Sequence, residues 1–341
     1  MTAQSDEIFD SDLISNSNSC PYKQENQSST VNSSNMNAMK NKKLSYLIKW
    51  AHAVNSQKYL DHVLNDTKID MIEADVMLGA LYETRSVTKI PIMAHPPNTI
   101  SDISLKMFLD QIMKHNNVAK ENNKKGVKLD FKSIEVFEAS LNVLHLMLPK
   151  MKCPIWLNAD ILKGPVDENE TIPVDPQRFF MGCRKFKDAV ISIGWTTFWR
   201  EEITNPFYTT DQVQQMLDVI KKFDIYNYGQ KLTFPVRAVF AANSQTQLLE
   251  LLISSSVTHK VTLTIWSSPD DRVDVEKLWE LICTIGVSRV YIDLPSDLAI
   301  KLDKRLHERN GSLSYPFRLP GNTFLVIIAM FSILYYSYFY Y

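Results

Sequence analysis

Between residues 44 and 310 short apolar runs of strand length alternate with longer stretches of helical periodicity, without an internal sequence repeat. The strand-like runs fall at 46–52, 70–76, 90–95, 126–131, 153–159, 189–195, 234–241, 260–266 and 288–293. Each has the four-to-eight-residue apolar character of a strand buried on both faces. Amphipathic stretches occupy 101–115, 133–148, 210–224, 244–254 and 273–285. In the third of these, Val213, Met216, Leu217 and Ile220 recur on one helical face. The second opens at Ser133 with Glu135 and Glu138, acidic residues favoured by the dipole at a helix start. Strand–helix alternation on this scale predicts an α/β fold, a (β/α)8 TIM-type barrel. The pattern offers one strand more than a barrel uses. The stretch 160–210, with Pro165, Pro173 and Pro176, is where the assignment is weakest, and an open nine-element sheet is the alternative.

The two ends differ from this body. Residues 1–43 are rich in Ser, Asn and Gln, lack apolar periodicity and read as disordered. They show neither the basic start nor the apolar stretch of a signal peptide. Residues 324–341 carry no charge, and as a helix would rise about 27 Å, close to the ~30 Å of a bilayer core. Lys301, Lys304, Arg305, Arg309 and Arg318 lie just upstream, which favours a tail anchor with a cytoplasmic body. The alternative is a secretory or cell-surface protein, with Asn310-Gly311-Ser312 starting a removable glycolipid-anchor signal. Lys and Arg number 37 against 38 Asp and Glu, so nothing resembles the basic footprint of a nucleic-acid binder. Cys153 and Cys283 sit in apolar runs and read as buried thiols, with no metal-ligand spacing.

Ionisable residues close successive apolar runs. In order they are His52, then Glu73 and Asp75, then His95, then Asp130 with Lys132. Strand residues two apart share a face, so Glu73 and Asp75 point the same way, as do Asp130 and Lys132. In a parallel barrel the C-terminal strand ends converge on one mouth. Two carboxylates about 4 Å apart there repel by roughly 4 kcal/mol at an effective dielectric near 20. A divalent cation relieves that repulsion, and carboxylate ligation points to Mg²⁺ or Ca²⁺ rather than zinc. Such a cation attracts phosphate, and two histidines can divide the acid and base roles.

These same residues carry a resemblance. His52-x-Val54-Asn55, Glu73-x-Asp75-Val76 and Asp130-x-Lys132 resemble motifs of the glycerophosphodiester phosphodiesterase-like barrels, especially the arachnid sphingomyelinase D branch. Ile265-Trp266 followed by Asp270, and Tyr291-Ile292-Asp293-Leu294-Pro295, resemble that branch's last two strands. The stretch from Trp50 to about 300, including His-Ala-Val-Asn-Ser and Ala-His-Pro-Pro, resembles the menorin family of animal proteins. The resemblance implies a barrel with a phosphoric diester hydrolase or phospholipase D-like lyase activity. It implies His52 and His95 as the acid–base pair and Glu73, Asp75 and Asp130 as the metal ligands. Lys132 would contact phosphate, and Trp266 would stand beside the substrate. Asn55 and Arg237 complete the expected substrate-binding set. There are departures: Ala53-Val54 follow the first histidine where bacterial enzymes have Arg-Gly, and Pro96-Pro97 follow the second. The expected substrate is a glycerophosphodiester or a phospholipid head group, with the membrane reached through the tail. The alternative is a non-enzymatic menorin-type scaffold that keeps the barrel and binds a protein partner.

Overall fold

A computed structural model describes residues 43–82, 88–166, 168–255 and 261–312. The expectations for 1–43 and 324–341 therefore fall outside the described residues, Lys43 excepted. Among the described residues no helix is long and apolar enough to cross a membrane. The chain divides into two units, Met1–Leu298 and Ala299–Tyr341. Within the described residues, the second contains only the later part of a helix spanning Ser296–Ser312.

The first unit is a nearly closed barrel of eight parallel strands. The strands are β1 (Trp50–Ala51), β2 (Met71–Leu81), β3 (Ile90–Met93), β4 (Ile100–Ser101), β5 (Gly126–Phe131), β6 (Ile155–Lys163), β7 (Val190–Thr196), β8 (Leu232–Arg237), β9 (Val261–Trp266) and β10 (Val290–Asp293). The barrel path runs β1-β2-β5-β6-β7-β8-β9-β10. At the seam, the Tyr46 N–H donates to Val287 O at 3.2 Å, and side chains bridge β10 and β1. The surplus strand is not in 160–210. It is β3, which runs antiparallel to an overhang of β2, pairing Val76 with Met93 and Gly79 with Ile90. The run at 90–95 is apolar because this hairpin is buried, not because it belongs to the barrel wall. Two other runs shift in character. Residues 46–49 hold a short 3-10 turn ahead of a two-residue β1, and 238–241 turn helical directly after β8.

The helices are α1 (Gln57–Asn65), α2 (Leu105–Val118), α3 (Ile134–Met147), α4 (Pro176–Cys183), α5 (Thr210–Lys222), α6 (Ala238–Ala241), α7 (Gln245–Ser255), α8 (Val275–Ile285) and α9 (Ser296–Ser312). Short polar side chains start many of them. Ser56, Ser104, Ser133, Asp175, Thr209 and Asp274 each accept a backbone N–H three residues on, and Thr209 with Gln212 forms a reciprocal capping box. These caps let the chain leave a strand end and turn down the outside within a few residues. Between strands and helices lies the apolar core, in which Phe131, Phe137, Phe179, Phe180 and Phe223 form a chain of ring contacts. Cys183 is buried in it, whereas Cys153 and Cys283 are only half-buried; none of these three cysteines forms a disulfide among the described residues.

Candidate active site

Side chains alternate along each strand, and parallel neighbours in register point the same way. The ladder sets Glu73 beside Lys128, Asp75 beside Asp130, Asp130 beside Asn158, and Asn158 beside Ser192. It also sets Asp160 beside Gly194, and Trp266 between Arg237 and Asp293. Most of these residues face the barrel interior. At the end where the strands begin, the interior is closed by Trp50, Trp156 and Tyr291 in edge-to-face contact, with centroids 4.8–6.3 Å apart. Toward the other end the interior turns polar.

Glu73, Asp75 and Asp130 form one cluster, with one oxygen of each within 4.8 Å of the others. Each is held by a neighbour. Asn55 donates to Asp75 Oδ2 at 2.7 Å and accepts the Asp75 N–H at 2.9 Å. Asn158 donates to Asp130 Oδ1 at 2.6 Å, and Ser192 in turn donates to Asn158. The Ala53 N–H donates to Glu73 Oε2 at 2.8 Å from a left-handed backbone (φ 53°). Lys132 Nζ lies 2.7 Å from Asp75 Oδ1 and 2.5 Å from Asp130 Oδ2.

His52 stands on the opposite side of Glu73. Its Nδ1 is 2.9 Å from Asp293 Oδ2 and 3.4 Å from Glu73 Oε2. The imidazole is stacked parallel to Trp266 at 6.3 Å. Arg237 covers the same indole at 5.2 Å while Asp271 grips it through Nε at 2.9 Å and Nη2 at 2.6 Å. Ser267 and the Ser268 N–H hold Asp271 in turn. Arg237 is thus paired with a carboxylate through two of its three nitrogens. His95 does not follow a barrel strand. It leaves the antiparallel β3, lies exposed, and its Nδ1 is 2.7 Å from Pro96 O. The Ala94 N–H, which donates to Asp75 O at 3.1 Å, puts it beside the cluster without a hydrogen bond or ion pair to it.

Comparison with known proteins decides the family. Residues 45–299 match the Menorin N-terminal domain. The chain belongs to the menorin family. A relative, Protein FAM151B of Homo sapiens, is 37% identical over 249 residues, covering 72% of this chain and 82% of that protein. Among solved structures, a D-psicose 3-epimerase crystallised in the presence of D-fructose overlaps 57% of this chain and 83% of its own at 12% identity, with a TM-score of 0.33. A psychrophilic family 10 endo-β-1,4-xylanase overlaps 73% and 85% at 8% identity, with a TM-score of 0.39. Both superpose too loosely to bear on the site.

The electrostatics of this menorin barrel are set by excess acid. Glu73, Asp75, Asp130, Asp160 and Asp293 face Lys128, Lys132 and His52. Burial pushes Glu73 upward against the pull of His52, and neighbouring Asp75 adds to the rise. Burial, then Asp130, pushes Asp160 up in the same way. Burial alone would raise Asp130 too, but Lys132 and Lys128 outweigh it and hold that carboxyl low. Desolvation pulls His52 down, yet Glu73 and then Asp293 raise it to about 9. Three carboxylates gathered within 4.8 Å, with Glu73 pushed up by burial and by an acidic neighbour, fit a divalent cation chemically. Lys132 already bridges two of the three carboxylates, so a bound cation would share them with its ammonium or displace it.

Sequence reasoning missed Lys128, Asn158, Asp160 and Asp293 as members of this site. The signal was present as the same two-residue spacing: Lys128-x-Asp130-x-Lys132 and Asn158-x-Asp160 are alternate positions of single strands.

Proposed function

We propose that this menorin-family barrel is a metal-dependent phosphodiesterase-like enzyme acting on a glycerophosphodiester or a phospholipid head group. The supporting observation is the gathering of Glu73, Asp75 and Asp130 with Lys132 and His52 at one mouth. A place beside the glycerophosphodiester phosphodiesterase and sphingomyelinase D-like barrels belongs to the same proposal. So does a tail anchor with a cytoplasmic body, which rests on the sequence of 324–341 and the basic residues upstream of it.

Glu73, Asp75 and Asp130 would hold Mg²⁺ or Ca²⁺. When bound, the ion neutralises charge on the phosphoryl oxygens. Lys132 donates to one of those oxygens once it leaves Asp130. Asp293 fixes His52 through Nδ1, so the proton His52 gives away is the one on Nε2. Asp293 favours the protonated ring, so His52 serves as the acid, passing that proton to the leaving oxygen. His95, exposed beside Asp75, serves as the base and takes the proton of the attacking hydroxyl, from water or from an adjacent hydroxyl of the substrate. Trp266 supplies a flat apolar wall next to the leaving group.

The test is turnover of glycerophosphodiesters, lysophospholipids and sphingomyelin by the full chain, with Mg²⁺ or Ca²⁺ and with chelator. Activity that needs the cation and drops about 10²–10⁴-fold in His52→Ala supports the mechanism; full activity in that variant sinks it. One observation favours a second reading. Lys132 already neutralises Asp75 and Asp130, as an internal counter-ion would in a barrel that has become a binding scaffold. Silence across the substrates, with a protein partner still bound by a folded Asp75→Asn variant, would favour that reading.

A further inference from the structure

We propose that the mouth of the barrel is a lipid-contact surface, an apolar and aromatic rim that seats the site on a bilayer of zwitterionic phospholipid. The inference deepens the phosphodiesterase reading by choosing the lipid-borne substrate, and rests on it for the chemistry of the floor.

Two groups stand out among the exposed large apolar residues. Val118, Leu146, Met181 and Ile253 stand singly on helices, which is ordinary for a protein surface. Tyr82, Ile100, Ile172, Phe198 and Phe207 are different, because all five belong to strand overhangs and connections at the C-terminal end of the barrel. Tyr82 ends the β2 overhang, and its N–H donates to Ser101 O beside Ile100. Ile172 is 84% exposed in a loop pinned to the end of β6 by the Val174 N–H on Asp160 O. Phe198 and Phe207 lie in the connection after β7, where the Arg200 guanidinium sits 5.9 Å from the Phe198 ring. Between them Trp199 is half-buried, with an indole N–H that finds no acceptor among the described residues. Trp, Tyr and Phe with an adjacent Arg are the residues that settle at a membrane–water boundary.

These residues lie on the β2-to-β7 side of the mouth, beside the polar cluster of Glu73, Asp75 and Asp130. An occupant covering both must offer apolar groups to the one and a charged group to the other, which is how a phospholipid in a bilayer is built. The charges of the connections after β6, β7 and β9 set the type of surface. Lys163, Arg200 and Arg272 are outnumbered by Glu168, Glu170, Glu201, Glu202 and Asp270. That balance repels anionic lipid and leaves apolar insertion into a neutral, zwitterionic surface as the attraction.

The experiment mixes the full chain with phosphatidylcholine vesicles, with and without bromine on the acyl chains, and reads tryptophan emission. Trp199 is the reporter. Trp50, Trp156, Trp195 and Trp279 lie within the body, Trp266 stands at the mouth beside His52 and is shared by the native and W199F chains, and residues 324–341 contain no tryptophan, so the difference between the two chains reports on Trp199 and not on the tail. Brominated vesicles should quench the native chain, and W199F should lose that quenching. F198S with F207S should raise the lipid concentration needed at least about tenfold. Should that pair unfold by circular dichroism, I172S takes its place. Absent quenching, undiminished quenching in W199F, or an unchanged lipid dependence in the serine variant overturns the proposal, and absent quenching is the result expected if a protein covers the rim. Rim-dependent quenching in His52→Ala, without turnover in the native chain, removes only the catalytic reading. Turnover of a soluble glycerophosphodiester without quenching removes only the lipid surface.

Discussion

At one end of the barrel interior Trp50, Trp156 and Tyr291 fill the space with three rings in edge-to-face contact. Two residues along the same strands stand His52, Asn158 and Asp293, each held by a polar neighbour. The backbone is the same and the inward direction is the same; only the chemistry of the next inward layer changes. The floor contributes burial and closes the barrel to water. The mouth gathers charges that burial penalises and compensates them by mutual contact. Stability and chemistry are therefore separable along a single strand, and substitutions two residues apart should report on different properties.

The sharpest way to break this contrast is at the floor. Trp156→Ala should cost about 3–5 kcal/mol, because the ring is buried and both aromatic partners lose a face. Denaturant unfolding measures it, and a loss below about 1 kcal/mol would mean the floor is not what closes the barrel. At the mouth, Lys132→Met removes the ammonium shared by Asp75 and Asp130. Breaking a fully buried pair costs roughly 3–5 kcal/mol, and Lys132 keeps some solvent contact, so about 2–3 kcal/mol is expected in chelator. Mg²⁺ or Ca²⁺ should restore part of that loss if the cluster takes a cation, and none of it if Lys132 is a permanent counter-ion.

The sequence carried the barrel wall well and its closure poorly. The runs that became β5, β7, β9 and β10 were legible because strands covered on both faces must be continuously apolar. The 90–95 run was misassigned for the same reason: a hairpin packed over the mouth needs the same residues as a wall strand, and periodicity holds no record of direction. His95 was therefore expected at the end of a wall strand, yet it arrives from above. Glu73, Asp75, Asp130 and Lys132 came together because their spacing matched the alternation of neighbouring strands, whereas Asn55 reaches Asp75 from the loop after β1. Asp293 went unassigned, since its role depends on β10 meeting β1, a contact between the two ends of the sheet. Arg237 was expected in the substrate-binding set, and its pairing with Asp271 was not legible because it depends on the loop after β9, where no periodic rule applies.

The mouth can also be tested by pH. The native pKa of His52 is raised to about 9 from an ordinary 6.5, so its stabilising contribution is fully present below about 6.5 and is lost as pH rises through 9. In chelator, the stability advantage of the native chain over His52→Gln should shrink across that window. The effect is smaller than that of Lys132→Met, because the His52 side chain is 44% exposed and solvent screens its partners. Trp156→Ala should leave the same window in place, since the floor does not touch the groups that set it. An advantage that grows toward pH 9 would mean Glu73 and Asp293 do not hold the imidazolium.

The smallest expected effect separates backbone from charge at the mouth. Ala53 adopts φ 53°, a left-handed conformation that costs a residue with a Cβ about 1–2 kcal/mol and glycine almost nothing. That conformation turns the Ala53 N–H onto Glu73 Oε2, so the strain is tied to the site. Ala53→Gly should relieve it while adding freedom to the unfolded chain, for a net gain between a few tenths and about 1 kcal/mol. The midpoint of thermal unfolding reads the gain. The pH window of His52 should not move, because the N–H donor to Glu73 is unchanged. A loss of stability instead would show that the Ala53 methyl makes packing contacts worth more than the strain. The left-handed turn would then be part of how the barrel closes, and the mouth would share the structural task assigned here to the floor.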